Sequence, residues 1–233
     1  MKEIHFIQNL GFSPDGKLTA ISGNGRSDEL FMRQGDLDGA CAVYSLMMML
    51  IIHRRITRSS LFKREKGRGY SSIMRLQDTF IGKLPGAYQD GYYFNDMCQS
   101  LQSCFKKVAT ATCFMSFSDD KPSSREQLHS ILQKTIDNGY PVQIGFSRKG
   151  RNGGGHAVVA IGYQEFWNGG DKLRIFCLDP GFELPNQAFW NTIIDIDLDG
   201  GNRAIYRDYN HSENRFITVN EILTIDEPDT DTF

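Results

Sequence analysis

From Ala42 to His53 the chain reads AVYSLMMMLIIH, apolar on nearly every side with strong helix formers at its centre, which predicts a helix buried all round. Two later stretches carry a helical period, Asn95 to Lys107 and Ser124 to Gly139, the second with Leu128, Ile131, Leu132 and Ile136 at three- and four-residue spacing. Ser123 or Ser124 followed by Glu126 and Gln127 supplies a capping signal for its start, and Asn138-Gly139 a stop. Beyond Gly139 the period changes to two. Pro141 to Phe146, His156 to Tyr163, Lys172 to Leu178 and Arg215 to Val219 predict strands separated by turns rich in glycine and asparagine. Helices followed by an antiparallel sheet are an α+β arrangement. No repeat and no interdomain linker interrupts it, so residues 1–233 are expected to form one domain, with 226–233 as a frayed acidic tail.

Composition narrows the function classes. A chain of 233 residues with 40% apolar content can bury one substantial core. A formal net charge of −2 provides no field for a polyanion, which disfavours nucleic acid as a partner. The basic run from Arg54 to Arg68 is expected to be solvated surface, with an acidic protein or membrane surface as the partner it would suit. Cys41, Cys98, Cys104, Cys113 and Cys177 form an odd set without CxxC spacing, so neither a disulfide framework nor a four-cysteine zinc site is indicated and a reducing compartment fits. The N-terminus lacks the apolar stretch of a secretory signal, and the longest apolar run is too short to span a bilayer. The expected location is the cytoplasm, or a host cell reached by an effector without a cleaved signal.

No cofactor or metal is expected. Gly150 to Gly155 lacks the GxxxxGK[ST] phosphate loop. Asp195, Asp197, Asp199 and Gly200 imitate the first half of a calcium loop, but Tyr206 stands where the bidentate glutamate belongs, and Ile196 and Leu198 alternate with the acids as in a strand. His5, His53, His129 and His211 have no metal-ligand spacing with the cysteines.

Three side chains stand in contexts that could use their reactivity. Cys41 lies at the head of the buried helix, where Gly39 permits a tight turn and Asp36 or Asp38 can cap the first N–H groups. A cysteine thiol of ordinary pKa, about 8.5, is mostly protonated at neutral pH, and a helix N-terminus and an imidazolium both favour the thiolate. His156 opens one strand after the stretch RKGRNGGG, and Asp179 ends the next. If the two strands form a hairpin connected near Glu165 to Asp171, both residues reach the same end of the sheet. An imidazole there could be oriented by the carboxylate and face the thiol with its other nitrogen. Each residue has a plainer reading: a packed cysteine, a structural histidine, an Asp-Pro-Gly turn. Cys177 alternates onto the side of Asp179, and a packed thiol is the simpler expectation for it.

Gly39-Ala40-Cys41 into a helix, Gly155-His156-Ala157 into a strand, and Leu178-Asp179-Pro180 followed by Gly181-Phe182-Glu183 resemble the papain-like cysteine peptidases. The most similar branches are the bacterial C39-like peptidases and the YopT/AvrPphB type of effector protease. The resemblance implies a papain-like fold and peptide hydrolysis through a thioester, with Cys41, His156 and Asp179 as catalytic residues. It also implies Gln34 as an oxyanion donor, although Gln34 stands seven residues before Cys41, one more than the usual spacing. Trp190 and Gly153 to Gly155 would flank the substrate cleft, with core packing the simpler account of Trp190. Deamidation or acyl transfer on a protein side chain, or a non-catalytic binding module, are the alternatives for the same scaffold.

Overall fold

The computed structural model describes residues 3–35, 40–62, 72–82, 92–115, 122–148, 154–168, 170–198, 204–208 and 214–226. At its centre is helix α1, Cys41–Ile52, in which every residue except Tyr44 is buried. A helix without a polar face must be covered on all sides. Strands β6 (Val142–Arg148) and β7 (Gly155–Trp167) pack against α1. Two polar ties fix the helix to them: Ser45 Oγ donates to Ala157 O at 3.2 Å and Gln143 Nε2 donates to Ala42 O at 2.8 Å.

β7 turns back into β8 (Asp171–Leu178), and β9 (Thr192–Asp197), β10 (Ala204–Asp208) and β11 (Arg215–Ile225) follow, each antiparallel to the one before. β11 then pairs with β6, which closes the strands into a six-strand barrel. Closure removes the exposed edges that an open sheet would leave. β1 (Ile4–Phe6) extends the barrel along β7, and β5 (Ala111–Met115) extends it along β11. At Gly162 a Cβ would come within 2.4 Å of the Phe6 ring and 2.6 Å of His5 O, so only glycine admits β1 there.

The architecture is mixed helix and sheet, as expected, but the chain does not run from helices to strands. β1 and the small sheet of β2 (Leu10–Phe12), β3 (Leu18–Ile21) and β4 (Ser27–Glu29) all precede α1. Strands of three or four residues are too short to show a period of two in sequence. The remaining helices are α2 (Arg58–Phe62), α3 (Ser72–Gln77), which continues as a π-helical turn over Asp78–Gly82, α4 (Phe94–Cys104) and α5 (Pro122–Asp137). The expected stop of α5 is present: Gly139, at φ +84°, donates to Ile136 O at 2.8 Å.

β11 runs on to Ile225, past the expected end at Val219, because Ile222, Leu223 and Ile225 are core residues. Asp226, expected to begin the tail, is tied by its N–H to Thr110 O at 2.9 Å; residues 227–233 lie outside the described residues. The basic run begins as internal ties. Arg54 Nη2 donates to Ile21 O at 3.1 Å and Arg58 Nη1 to Phe31 O at 2.6 Å, while residues 63–70 lie outside the described residues.

Candidate active site

Cys41 is the first residue of α1, following Ala40. Asp36, Asp38 and Gly39, expected to shape the turn before it, lie outside the described residues. The β7–β8 hairpin pairs Val159 with Leu178, so the start of β7 and the end of β8 meet at one end of the barrel, beside the head of α1. His156 and Asp179 are brought together there. His156 Nε2 lies 2.7 Å from Asp179 Oδ1 and 2.8 Å from Oδ2. With Nε2 committed to the carboxylate, the imidazole also lies near enough to Cys41 for the cysteine to help raise its pKa.

Asp179 is fully buried, and a carboxylate so placed needs donors for its lone pairs. The Gly181 N–H donates to Oδ1 at 2.7 Å, and the Tyr206 hydroxyl from β10 donates to Oδ2. The backbone of Asp179 is clamped by Asn191, whose Oδ1 accepts from the Asp179 N–H at 2.7 Å and whose Nδ2 donates to Asp179 O at 2.8 Å. The ring of His156 meets Phe146 edge to face, with centroids 5.4 Å apart.

Burial by itself would lower the His156 pKa, because it penalises the imidazolium. Attraction and hydrogen bonding to Asp179, with a smaller contribution from Cys41, outweigh burial and raise it to about 10. Burial and the adjacent Asp179 carboxylate push the Tyr206 phenol well above its ordinary range, so it remains a donor.

Cys41 and His156 open onto a cleft of about 450 Å³. Gln34 lines the same cleft, and its backbone N–H donates to Pro180 O at 2.8 Å, which ties the segment before α1 to the Asp-Pro-Gly turn. Its Oε1 is buried without a hydrogen-bond partner among the described residues. Gly154 and Gly155 also line the cleft, while Gly153 lies outside the described residues.

The other sequence candidates fall elsewhere. Trp190 is absent from the cleft lining and packs on Phe6 and Phe176, with ring centroids 5.4 and 4.8 Å apart. Cys177 is a packed thiol, fully buried and pushed well up by that burial and by Asp179. Asp195 is a buried ion-pair centre on β9: Arg174 Nε and Nη2 donate to its two oxygens at 2.8 and 3.0 Å, and Arg207 Nη1 donates to Oδ2. No group of three metal-ligating side chains occurs among the described residues.

Tyr206 and Asn191 were not legible as site residues. Tyr206 reaches Asp179 only because the barrel closes, and Asn191 is a lone amide in a loop.

The model of the Peptidase_C39 like family matches residues 29–195, from Glu29 in β4 to Asp195 in β9. The chain belongs to this family. Membership supports a peptidase, and of the two branches that the sequence resembles it selects the C39-like one. No curated protein matches the chain. The stretch matched to the Peptidase_C39 like family takes in Gln34, Cys41, His156, Asp179 and Asn191, whereas Tyr206 and all of β11 lie beyond it.

Proposed function

We propose that this Peptidase_C39 like protein is a cysteine peptidase of papain-like fold, with Cys41 as nucleophile, His156 as base and acid, Asp179 as the group that orients the imidazole, and Gln34 as an oxyanion donor. The observation that carries the reading is the commitment of His156 Nε2 to both oxygens of a buried carboxylate while the same ring shares a cleft with Cys41. That arrangement leaves Nδ1 to exchange a proton with sulfur.

In the first half-reaction the shared proton already lies on His156, and a sulfur lone pair of Cys41 forms a C–S bond to the substrate carbonyl carbon. The C=O π pair moves onto oxygen, where the Cys41 N–H at the helix head and the Gln34 amide donate to it. Collapse re-forms the C=O bond and breaks the C–N bond, and the leaving amine takes the proton from His156. In the second half, water gives a proton to His156 as it attacks the thioester; the C–S bond breaks with its electron pair going to sulfur, and the resting pair is restored with the proton on His156. Throughout, Asp179 holds the Nε2–H, and the Gly181 and Tyr206 donors hold Asp179.

Among the described residues no helix is long and apolar enough to cross a membrane. The described cysteines are all free, which supports work in a reducing compartment such as the cytoplasm, reached there directly or as an effector.

Iodoacetamide labelling tests the reading. Cys41 should label faster at neutral pH than the exposed Cys104, and His156→Ala should remove that advantage. Mass-spectrometric mapping should find new peptide termini with the natural chain and none with Cys41→Ala. Gln34→Ala should lower kcat about 100- to 1,000-fold, the worth of one oxyanion donor. Equal labelling of Cys41 and Cys104 would refute the activated pair. Ammonia release without new termini would assign side-chain deamidation instead.

A further inference from the structure

β11 pairs with β6 regularly from Ile217 opposite Arg148 to Val219 opposite Phe146, then resumes with Glu221 opposite Gly145. Asn220 is therefore an extra residue, a β-bulge. On a regular strand neighbouring side chains point to opposite faces. Here Asn220 and Glu221 both line the cleft that holds Cys41 and His156, because the bulge turns one of them back. The residue facing Glu221 has no side chain. A Cβ on Gly145 would lie 3.2 Å from Phe94 Cζ and 3.4 Å from Glu221 Cβ, so the glycine lets the Phe94 ring and the Glu221 stem settle on the cleft floor.

Glu221 is a half-buried carboxylate with one donor among the described residues: its Oε2 accepts from the Phe94 N–H at 3.2 Å. It has no ion pair among the described residues. Burial pushes its carboxyl up, the Phe94 N–H opposes this, and the exposed Asp96 adds to the rise. Among the described residues the only other charged side chain lining the cleft is His156, whose charge Asp179 already matches. Among the described residues, then, the acidic group of the cleft has no counter-charge. At its rim Tyr93 is 69% exposed, presenting an aromatic ring of the kind that attracts cations. Glu221 lies beyond the stretch matched to the family.

We propose that Glu221, with Tyr93 at the rim, forms a subsite for a lysine or arginine side chain of a peptide lying across Cys41. The proposal rests on the peptidase reading and extends it to the class of substrate. A cationic side chain seated there would supply the missing counter-charge in a partly desolvated setting, where opposite charges attract more strongly than in bulk water.

The test uses the full chain and a library of short randomised peptides, with two readouts. Immobilised Cys41→Ala protein should retain peptides enriched about tenfold in lysine or arginine over glutamate at one position. Adding Glu221→Gln, which can still accept from the Phe94 N–H, should bring the enrichment near parity, and adding Glu221→Lys should invert it toward acidic peptides. Retention without basic enrichment, or basic enrichment that persists in Cys41→Ala/Glu221→Gln, overturns the subsite. Cleavage of the library by the natural chain is read in parallel. Cleavage indifferent to charge leaves the peptidase and removes the subsite. Glu221-dependent retention of basic peptides without any cleavage keeps the subsite and removes the peptidase.

Discussion

At the C-terminal end of α1, His53 is 8% exposed and stacks on Tyr140, with ring centroids 4.6 Å apart and planes 3° from parallel. At the head of the same helix the His156 side chain is likewise 8% exposed. The two imidazoles nonetheless titrate in opposite directions. Burial strips water from the His53 imidazolium and Arg55 repels it, which lowers its pKa to about 3. The negative end of the α1 dipole favours a cation there by only about 0.3–1 kcal/mol, too little to offset that desolvation. His53 Nε2 has no hydrogen-bond partner among the described residues. His156 is buried as well, and Asp179 with Cys41 carries it to about 10. Burial alone thus makes a neutral, inert histidine; burial against a carboxylate that is itself held by Gly181 and Tyr206 makes one that keeps its proton beside Cys41.

The largest effect that tests this contrast is on turnover. His156→Gln should lower peptide hydrolysis by about 10,000-fold or more, whereas His53→Gln should leave the rate within about twofold. Comparable losses in steady-state cleavage would dissolve the distinction between the two ends. Next comes Asp179→Asn, which removes the charge that holds the proton on His156. The rate should fall about 100-fold, and the alkaline limit of kcat/KM, set by the His156 imidazolium that protonates the leaving amine, should move from near pH 10 to below neutral. A limit that stays in place would show that Asp179 acts through geometry alone.

Gly181→Ala is a finer probe. Its Cβ would lie 3.1 Å from Asp179 Oδ1 and 3.3 Å from His156 Cε1, and Asp179 is too firmly held to give way. We expect kcat/KM to fall about tenfold with little change in Tm. An unchanged kcat/KM would mean that the Asp179–His156 spacing tolerates a shift.

The smallest effect is on stability against pH, with opposite signs for the two histidines. The raised pKa of His156 adds stability that is full below about pH 6.5 and lost as pH rises through about 10. The lowered pKa of His53 means that the unfolded chain binds the extra proton, so stability is lost as pH falls from 6.5 toward 3. Urea midpoints at pH 7 and pH 4 should therefore differ less in His53→Phe than in the natural chain. An equal difference would assign the acid sensitivity elsewhere.

The parts of the molecule legible in sequence are those governed by local pattern. An all-apolar run has one stable solution, burial as a helix, and α1 begins within one residue of the expected start. The alternation on either side of a short polar turn predicts the β7–β8 hairpin, and that hairpin alone suffices to bring His156 and Asp179 to one end. Trp190 shows the limit of the same reasoning. Its large apolar surface could serve the core or the cleft equally well, and the arrival of Phe6 from the far N-terminus assigns it to the core. The short N-terminal strands were illegible because three residues carry no measurable period.

By itself the sequence determined an α+β chain with a buried helix headed by Cys41 and a hairpin bearing His156 and Asp179, since each depends on residues close along the chain. Only the tertiary structure decided that the barrel closes, that Tyr206 reaches Asp179, and that a bulge turns Glu221 into the cleft. Those contacts join segments far apart in sequence, where the pairing register, and not the local pattern, selects which side chains meet.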